Sequence, residues 1–168
     1  MTKYKPRIAD KILERKVRGK GAVLIEGPKW CGKTTTAKQL AKSVLDLGNS
    51  AVLSQSAQMI ELEPKELLEG KTPRLIDEWQ ALPPIWDCIR NEVDLRNEPS
   101  QFILTGSSVL PEAYETVHSG TWRFSHLKMR PMSLYESGES NGSISLKSLF
   151  EKSNFDVKQN GLGLDDIA

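Results

Sequence analysis

Metal- and redox-active side chains are scarce in this sequence, which holds two histidines and two cysteines. Cys31 and Cys88 stand far apart, and neither they nor His118 and His126 fall into a metal-ligand or dithiol spacing. Structural metal sites and thiol redox chemistry are therefore not indicated. No apolar run approaches the length that a membrane-crossing helix requires. No internal repeat is present, and the N-terminus carries no leader-peptide pattern. Two thiols without a leader predict a protein of the reducing cytoplasm. An excess of one charge is also missing. With 23 basic against 22 acidic residues, a net charge of +1 gives no global attraction to nucleic acid or anionic lipid. The asymmetry is local: Lys3, Lys5, Arg7, Lys11, Arg15, Lys16, Arg18 and Lys20 crowd the first twenty residues, against Asp10 and Glu14.

What is present suffices for a core. A hydrophobic content of 38% over 168 residues predicts one domain, or one domain plus a fragment. Residues 7–18 read as a helix, with Ile8, Ile12, Leu13 and Val17 on one stripe and Arg7, Lys11, Arg15 and Arg18 on another. The basic stripe is read as a solvated surface, with a nucleic-acid or acidic-partner contact as the alternative. Ala22–Ile25 is a glycine-bounded apolar run, the pattern of a strand buried on both faces. A helix is predicted from Lys33, with Ala37, Leu40, Ala41, Val44 and Leu45 at helical spacing and Gly48 and Asn49 closing it. Ala51–Leu53 then reads as a second strand and PKELLEG, from Pro64, as a short helix. Arg74–Asp77, Gln101–Thr105 and Phe124–Met129 read as three further strands. Helices are predicted from Pro84, from Pro111 and over SLKSLFEK, with SGESNGS at 137–143 a loop by composition. Short apolar strands alternating with helices predict an α/β fold with a mainly parallel sheet of about five strands. In such sheets ligands gather at the carboxyl ends of the strands.

The residues at those ends form a sequence of polar sites. After the first strand, Gly27-Pro-Lys-Trp-Cys-Gly32-Lys33-Thr34 fits G-x-x-x-x-G-K-[ST], between a strand and a helix as the motif demands. Glycines let the backbone curl so that N–H groups face phosphate oxygens, and the helix start adds positive dipole. The whole stretch Gly27, Pro28, Lys29, Trp30, Cys31, Gly32, Lys33, Thr34 and Thr35 is taken as the nucleotide-binding loop. Lys33 is expected to neutralise the β- and γ-phosphates and Thr34 to ligate Mg²⁺. Pro28 stiffens the loop and removes a donor. Trp30 is read as a packing residue outside the cradle, with a place over the nucleotide as the alternative. Cys31 is read as a small residue that fits, with an oxidation-sensitive thiol as the alternative.

After the third strand come Asp77 and Glu78. The aspartate is placed to hold Mg²⁺ and the glutamate to act as general base toward a water. After the fourth come Thr105, Gly106, Ser107 and Ser108, where the hydroxyl of Thr105 could orient that water, although such residues also simply favour turns. Arg123 and Arg130 are candidates for the charge-stabilising arginine, within the subunit or across an interface. Trp79, Trp86 and Trp122 are read as packing residues.

YKPRIAD, GAVLIEGPKWCGKTTTA, RLIDEWQ, FILTGSS and MRPMSLYESGES together resemble the AAA-type domain of a family of prokaryotic ATP-binding proteins that carry a C-terminal domain of unknown function. The resemblance covers about residues 1–150. It implies a P-loop NTPase three-layer sandwich of the additional-catalytic-glutamate (AAA) type, with Lys33 and Thr34 on the nucleotide, Asp77 and Glu78 as the Walker B pair, and a sensor-like site at Thr105. Family members usually carry Gly-Arg before the fifth strand, where this chain has Trp122-Arg123. GLGLDDIA resembles the start of the helical segment that follows the core, so a chain truncated before the C-terminal domain is expected. The domain assignment is residues 1–136 for the ATPase core and 137–168 for a loop and short helix beyond it.

The resulting expectation is a Mg-dependent ATPase whose hydrolysis of ATP drives a conformational change, with a homo-oligomer or protein partner possible and no membrane association. The alternatives are a nucleotide-binding switch with little turnover, a P-loop kinase, and a DNA-binding module resting only on the basic N-terminal helix.

Overall fold

The computed structural model describes residues 4–106 and 123–151. The chain divides into two compact units, one spanning Ala9–Pro131 and the other combining Met1–Ile8 with Met132–Ala168. The larger unit is built on five strands: β1 (Ala22–Glu26), β2 (Ser43–Asp46), β3 (Arg74–Asp77), β4 (Phe102–Gly106) and β5 (Phe124–Lys128). Every pairing is parallel, in the order β2-β3-β4-β1-β5. The helices are α1 (Ile8–Gly19), α2 (Lys33–Lys38), α3 (Ser50–Leu62), α4 (Pro64–Leu68) and α5 (Ile85–Arg96), with a 3₁₀ turn at Trp79–Ala81.

The pleat explains how the helices divide between the two faces. Alternate residues of a strand point to opposite sides. Ala22 and Leu24 of β1 join Ile76, Phe102, Leu104 and Phe124 against Leu67, Leu68, Ile85, Ile89 and Val93, so one face is covered by α4 and α5, with Val52, Leu53 and Ile60 of α3 packed on the same cluster. Val23 and Ile25 join Leu75, Ile103 and Leu127 against Leu13 and Val17 of α1 and Ala37 of α2. The result is helix–sheet–helix, an α/β P-loop NTPase-like architecture. Trp86 bridges Trp79 and Phe124, with ring centroids 5.1 and 4.4 Å away, so Trp79 and Trp86 are core residues.

Two expectations are corrected. The helix from Lys33 does not run to Gly48. It ends at Lys38, a turn follows, and Val44 and Leu45 lie in β2. Ala51–Leu53 is not a strand but the first turn of α3, where the Asn49 side chain accepts from the N–H groups of Ala51 and Val52. Asn49 thus opens a helix rather than closing one, an N-cap role that suits asparagine equally well. The helix predicted at Pro111, together with Ser107, Ser108, His118 and Trp122, lies outside the described residues.

The smaller unit contains α6 (Leu134–Ser137) and α7 (Leu146–Glu151). Ser133 and Glu136 form a capping box at α6. The Glu136 carboxylate also accepts from the Ile8 N–H at 2.7 Å and from Arg7 Nε at 3.1 Å. Burial works to raise its pKa, but donors from Ser133, Ile8 and Arg7 outweigh that and draw it down to about 2. Arg7 is itself buried and ion-paired, so the basic stripe predicted on the first helix lacks its first member.

Candidate functional site

Glu26 ends β1, which lies between β4 and β5, and the next six residues fold back over the carboxyl edge of the sheet before α2 begins. Gly27 sits where side chains do not fit: a Cβ there would lie 2.2 Å from the Met129 carbonyl oxygen. Gly32 takes a left-handed conformation (φ 94°), open to glycine without steric penalty. Between them the loop turns through a Cys31 N–H to Pro28 carbonyl bond of 3.4 Å.

Inside that loop two neighbours face opposite ways. Cys31 is buried against Met129 in the core, its thiol directed at the Met129 carbonyl 3.9 Å away. It is a small residue that fits. Trp30 is 100% exposed and has φ 67°. The expectation that it packs against neighbouring loops is corrected: the turn that buries Cys31 drives the preceding side chain out into solvent.

Lys33 is buried, and its ammonium donates to the carbonyls of Gly27 and Pro28, both at 2.9 Å. The cation is held across the mouth of the loop by its own backbone. At the next position Thr34 Oγ1 donates to Asp77 Oδ1 at 2.8 Å. Thr105 Oγ1 donates to the same carboxylate oxygen. The register explains the meeting, since Asp77 and Thr105 are direct partners across β3 and β4. Asp77 and Thr105 are buried, so their mutual hydrogen bonding satisfies groups that water does not reach.

Glu78 follows Asp77 in a left-handed conformation (φ 54°), which turns its side chain off the strand line. The Gln80 amide donates to Glu78 Oε2. Gly106 permits that arrangement, because a Cβ there would approach Gln80 Oε1 to 2.7 Å and Trp79 Nε1 to 2.9 Å. Gln80 was not singled out from sequence. Its only signal was its place in the IDEWQ string, two residues after the acidic pair.

Lys29, Trp30, Gly32, Lys33, Thr34, Thr35, Glu78 and Gln80 line one open cavity of about 510 Å³. That volume lies within the usual range for small-molecule sites. The structure therefore brings Lys33, Thr34, Asp77, Glu78 and Thr105 to one edge of the sheet. It does not bring Arg123 there. Arg123 precedes β5, and its carbonyl accepts from the N–H of Ala22 at the amino end of β1. It is a strand length away from the loop, about 13 Å at the usual rise, and its guanidinium pairs with Asp94. Arg123, a candidate for the charge-stabilising arginine within the subunit or across an interface, therefore stands away from the loop of its own subunit. Arg130 follows Met129, whose N–H donates to the Glu26 carbonyl, so Arg130 stands at the same edge as the loop.

Thr34 and Asp77 offer a hydroxyl and a carboxylate side by side, hard oxygen donors of the kind Mg²⁺ takes when phosphates and waters complete its shell. Among the described residues no group of three His, Cys, Asp or Glu could hold a metal unaided. Among them, too, no helix is long and apolar enough to cross a membrane. A family model described as an AAA domain matches residues 19–138, a span that holds the loop, the Asp77–Glu78 pair and Thr105. No curated protein matches the chain.

Proposed function

Since this chain belongs to the AAA domain family, we propose that it binds Mg-ATP in the 27–35 loop and hydrolyses it to ADP and phosphate. The observation that carries this reading is the convergence of Thr34 and Thr105 on one oxygen of Asp77, beside Lys33 and Glu78.

Each residue has a role set by its chemistry. Lys33 exchanges its two backbone carbonyls for β- and γ-phosphate oxygens, a charge-assisted pairing stronger than the one it leaves. Loop N–H groups take the remaining phosphate oxygens. Thr34 and Asp77 would hold Mg²⁺, which would supply positive charge against that of the phosphates. Glu78 accepts a proton from water as the water oxygen bonds to the γ-phosphorus and the bond from that phosphorus to the β–γ bridging oxygen breaks. Thr105, fixed on Asp77, orients the water from the adjacent strand. Arg130, at the loop edge, is the arginine of this chain best placed to stabilise the leaving charge in its own subunit.

The test pairs binding with turnover. Mg-ATP at a hundred times its Kd should stabilise the chain by about 2.7 kcal/mol, a rise of about 5–10 °C in midpoint for a domain of this size. Lys33→Ala should abolish the rise. Glu78→Gln should keep the rise and lose at least about a hundredfold in kcat. Absence of any shift in the unaltered chain refutes nucleotide binding. Equal rates for the chain and Glu78→Gln refute hydrolysis by this site.

A further inference from the structure

Trp30 is the residue that phosphate binding leaves unused. Trp79 and Trp86 are each 2% exposed and packed together, whereas Trp30 is fully exposed. It also holds φ 67°, a conformation that bulky side chains avoid. A large apolar ring kept in water on a strained backbone has two costs, and nothing among the described residues offsets them. Such strain concentrates at ligand-binding positions.

Its location narrows the ligand. Trp30 lines the same cavity as Lys33, Thr34 and Thr35. An indole carries no charge, and its face is electron-rich, so it is a poor partner for phosphate and a good one for a flat heterocycle. Lys29 and Lys33 already supply positive charge on that wall.

We propose that Trp30 is a base-contact residue, its indole covering the heterocycle of a nucleotide whose phosphates occupy the 27–35 loop. The site then takes a base-bearing nucleotide in preference to bare polyphosphate. Because every base presents a π-face, the contact adds affinity without choosing between bases. The inference rests on the nucleotide reading above and assigns the ligand's other end.

The experiment titrates the chain, Trp30→Phe and Trp30→Gly with Mg-ATP, Mg-GTP and Mg-tripolyphosphate. Glycine removes the ring while accepting the left-handed backbone, and phenylalanine restores an aromatic face. Trp30→Gly should bind both nucleotides about tenfold more weakly and tripolyphosphate within about twofold of the unaltered chain. Trp30→Phe should recover most of the nucleotide affinity. Mg-ATP should change the tryptophan emission of the unaltered chain, and tripolyphosphate should not. Equal weakening of tripolyphosphate and nucleotide in Trp30→Gly would overturn the proposal, since Trp30 would then only shape the loop. Unchanged ATP affinity in Trp30→Gly would overturn it as well and point the ring toward another partner. If the unaltered chain binds neither ATP nor tripolyphosphate, the nucleotide reading itself fails and the base contact falls with it. Binding of tripolyphosphate as tightly as ATP refutes the base contact alone.

Discussion

Replacing Thr105 by valine tests the hydrogen bonding at the sheet edge without any assumption about catalysis. The side chain is fully buried and its hydroxyl donates to Asp77, which is itself only 6% exposed. Valine keeps the branched shape and puts a methyl where the hydroxyl was. Asp77 Oδ1 then retains the Thr34 hydroxyl at 2.8 Å but loses the donor from β4. A hydrogen bond to a charged group contributes about 1.5–3 kcal/mol, and leaving a buried charge short of donors adds to the loss. An expected destabilisation of about 2 kcal/mol is a large share of the roughly 5–15 kcal/mol that holds a domain together. The midpoint temperature should fall by about 4–8 °C, and the urea midpoint should fall at constant slope. Thr105→Ser keeps the hydroxyl and should lie much closer to the unaltered chain. A valine variant within about 0.5 kcal/mol of the parent would show that the bond contributes nothing. Any loss in the serine variant measures packing of the γ-methyl, which valine retains, so the valine loss reports the hydroxyl.

Two further outcomes follow from hydrogen bonds described above. Gln80→Ala removes the amide that holds Glu78. Steady-state ATPase kinetics should show kcat lower by about tenfold, a loss typical of a misplaced catalytic group, with KM within about twofold; a rise in KM alone would refute a positioning role. For Glu136, the folded pKa of about 2 lies below the ordinary carboxylate value. Its contribution to stability is therefore fully present above about pH 4.5 and is lost as pH falls toward 2. The urea-midpoint gap between the chain and Glu136→Gln should be open at pH 6 and close on acidification. A gap that stays constant down to pH 3 would mean that the carboxylate is not held as described.

Strands buried on both faces were the most legible elements. Arg74–Asp77 is the same span in sequence and structure, β1 and β5 differ by one residue at one end, and β4 by one residue at each end. The apolar runs of β1, β3 and β4 reflect a requirement from both neighbouring layers, whereas β5, an edge strand, buries only Phe124 and Leu127 of its five residues. The edge strand β2 hid for the opposite reason. Only Leu45 of its four residues is buried, so no strand pattern arises, while Ala37, Leu40, Ala41, Val44 and Leu45 imitate a helical stripe across a turn. In α3 only Ser56 is fully buried, which leaves little periodicity to read. At the candidate site, the loop, Asp77, Glu78 and Thr105 could be brought to one edge from sequence, because strand ends in a parallel sheet share an edge. The same rule places Arg123, which precedes its strand, at the opposite edge. Gln80 could not be read this way, since its contact depends on the left-handed turn at Glu78.

The interior position of β1, between β4 and β5, has a consequence for synthesis. Both of its partners are distant in the chain: β4 spans Phe102–Gly106 and β5 spans Phe124–Lys128. While the polypeptide emerges from the ribosome, β2 and β3 can pair early, but the four apolar residues of β1 have no neighbour until residue 106 is free of the tunnel. Long-range parallel pairing of this kind is slow and leaves strand edges open to association. A nascent chain stalled before β4 would therefore display AVLI unpaired, with the 27–35 loop that follows it unanchored, and would be the aggregation-prone species of this protein.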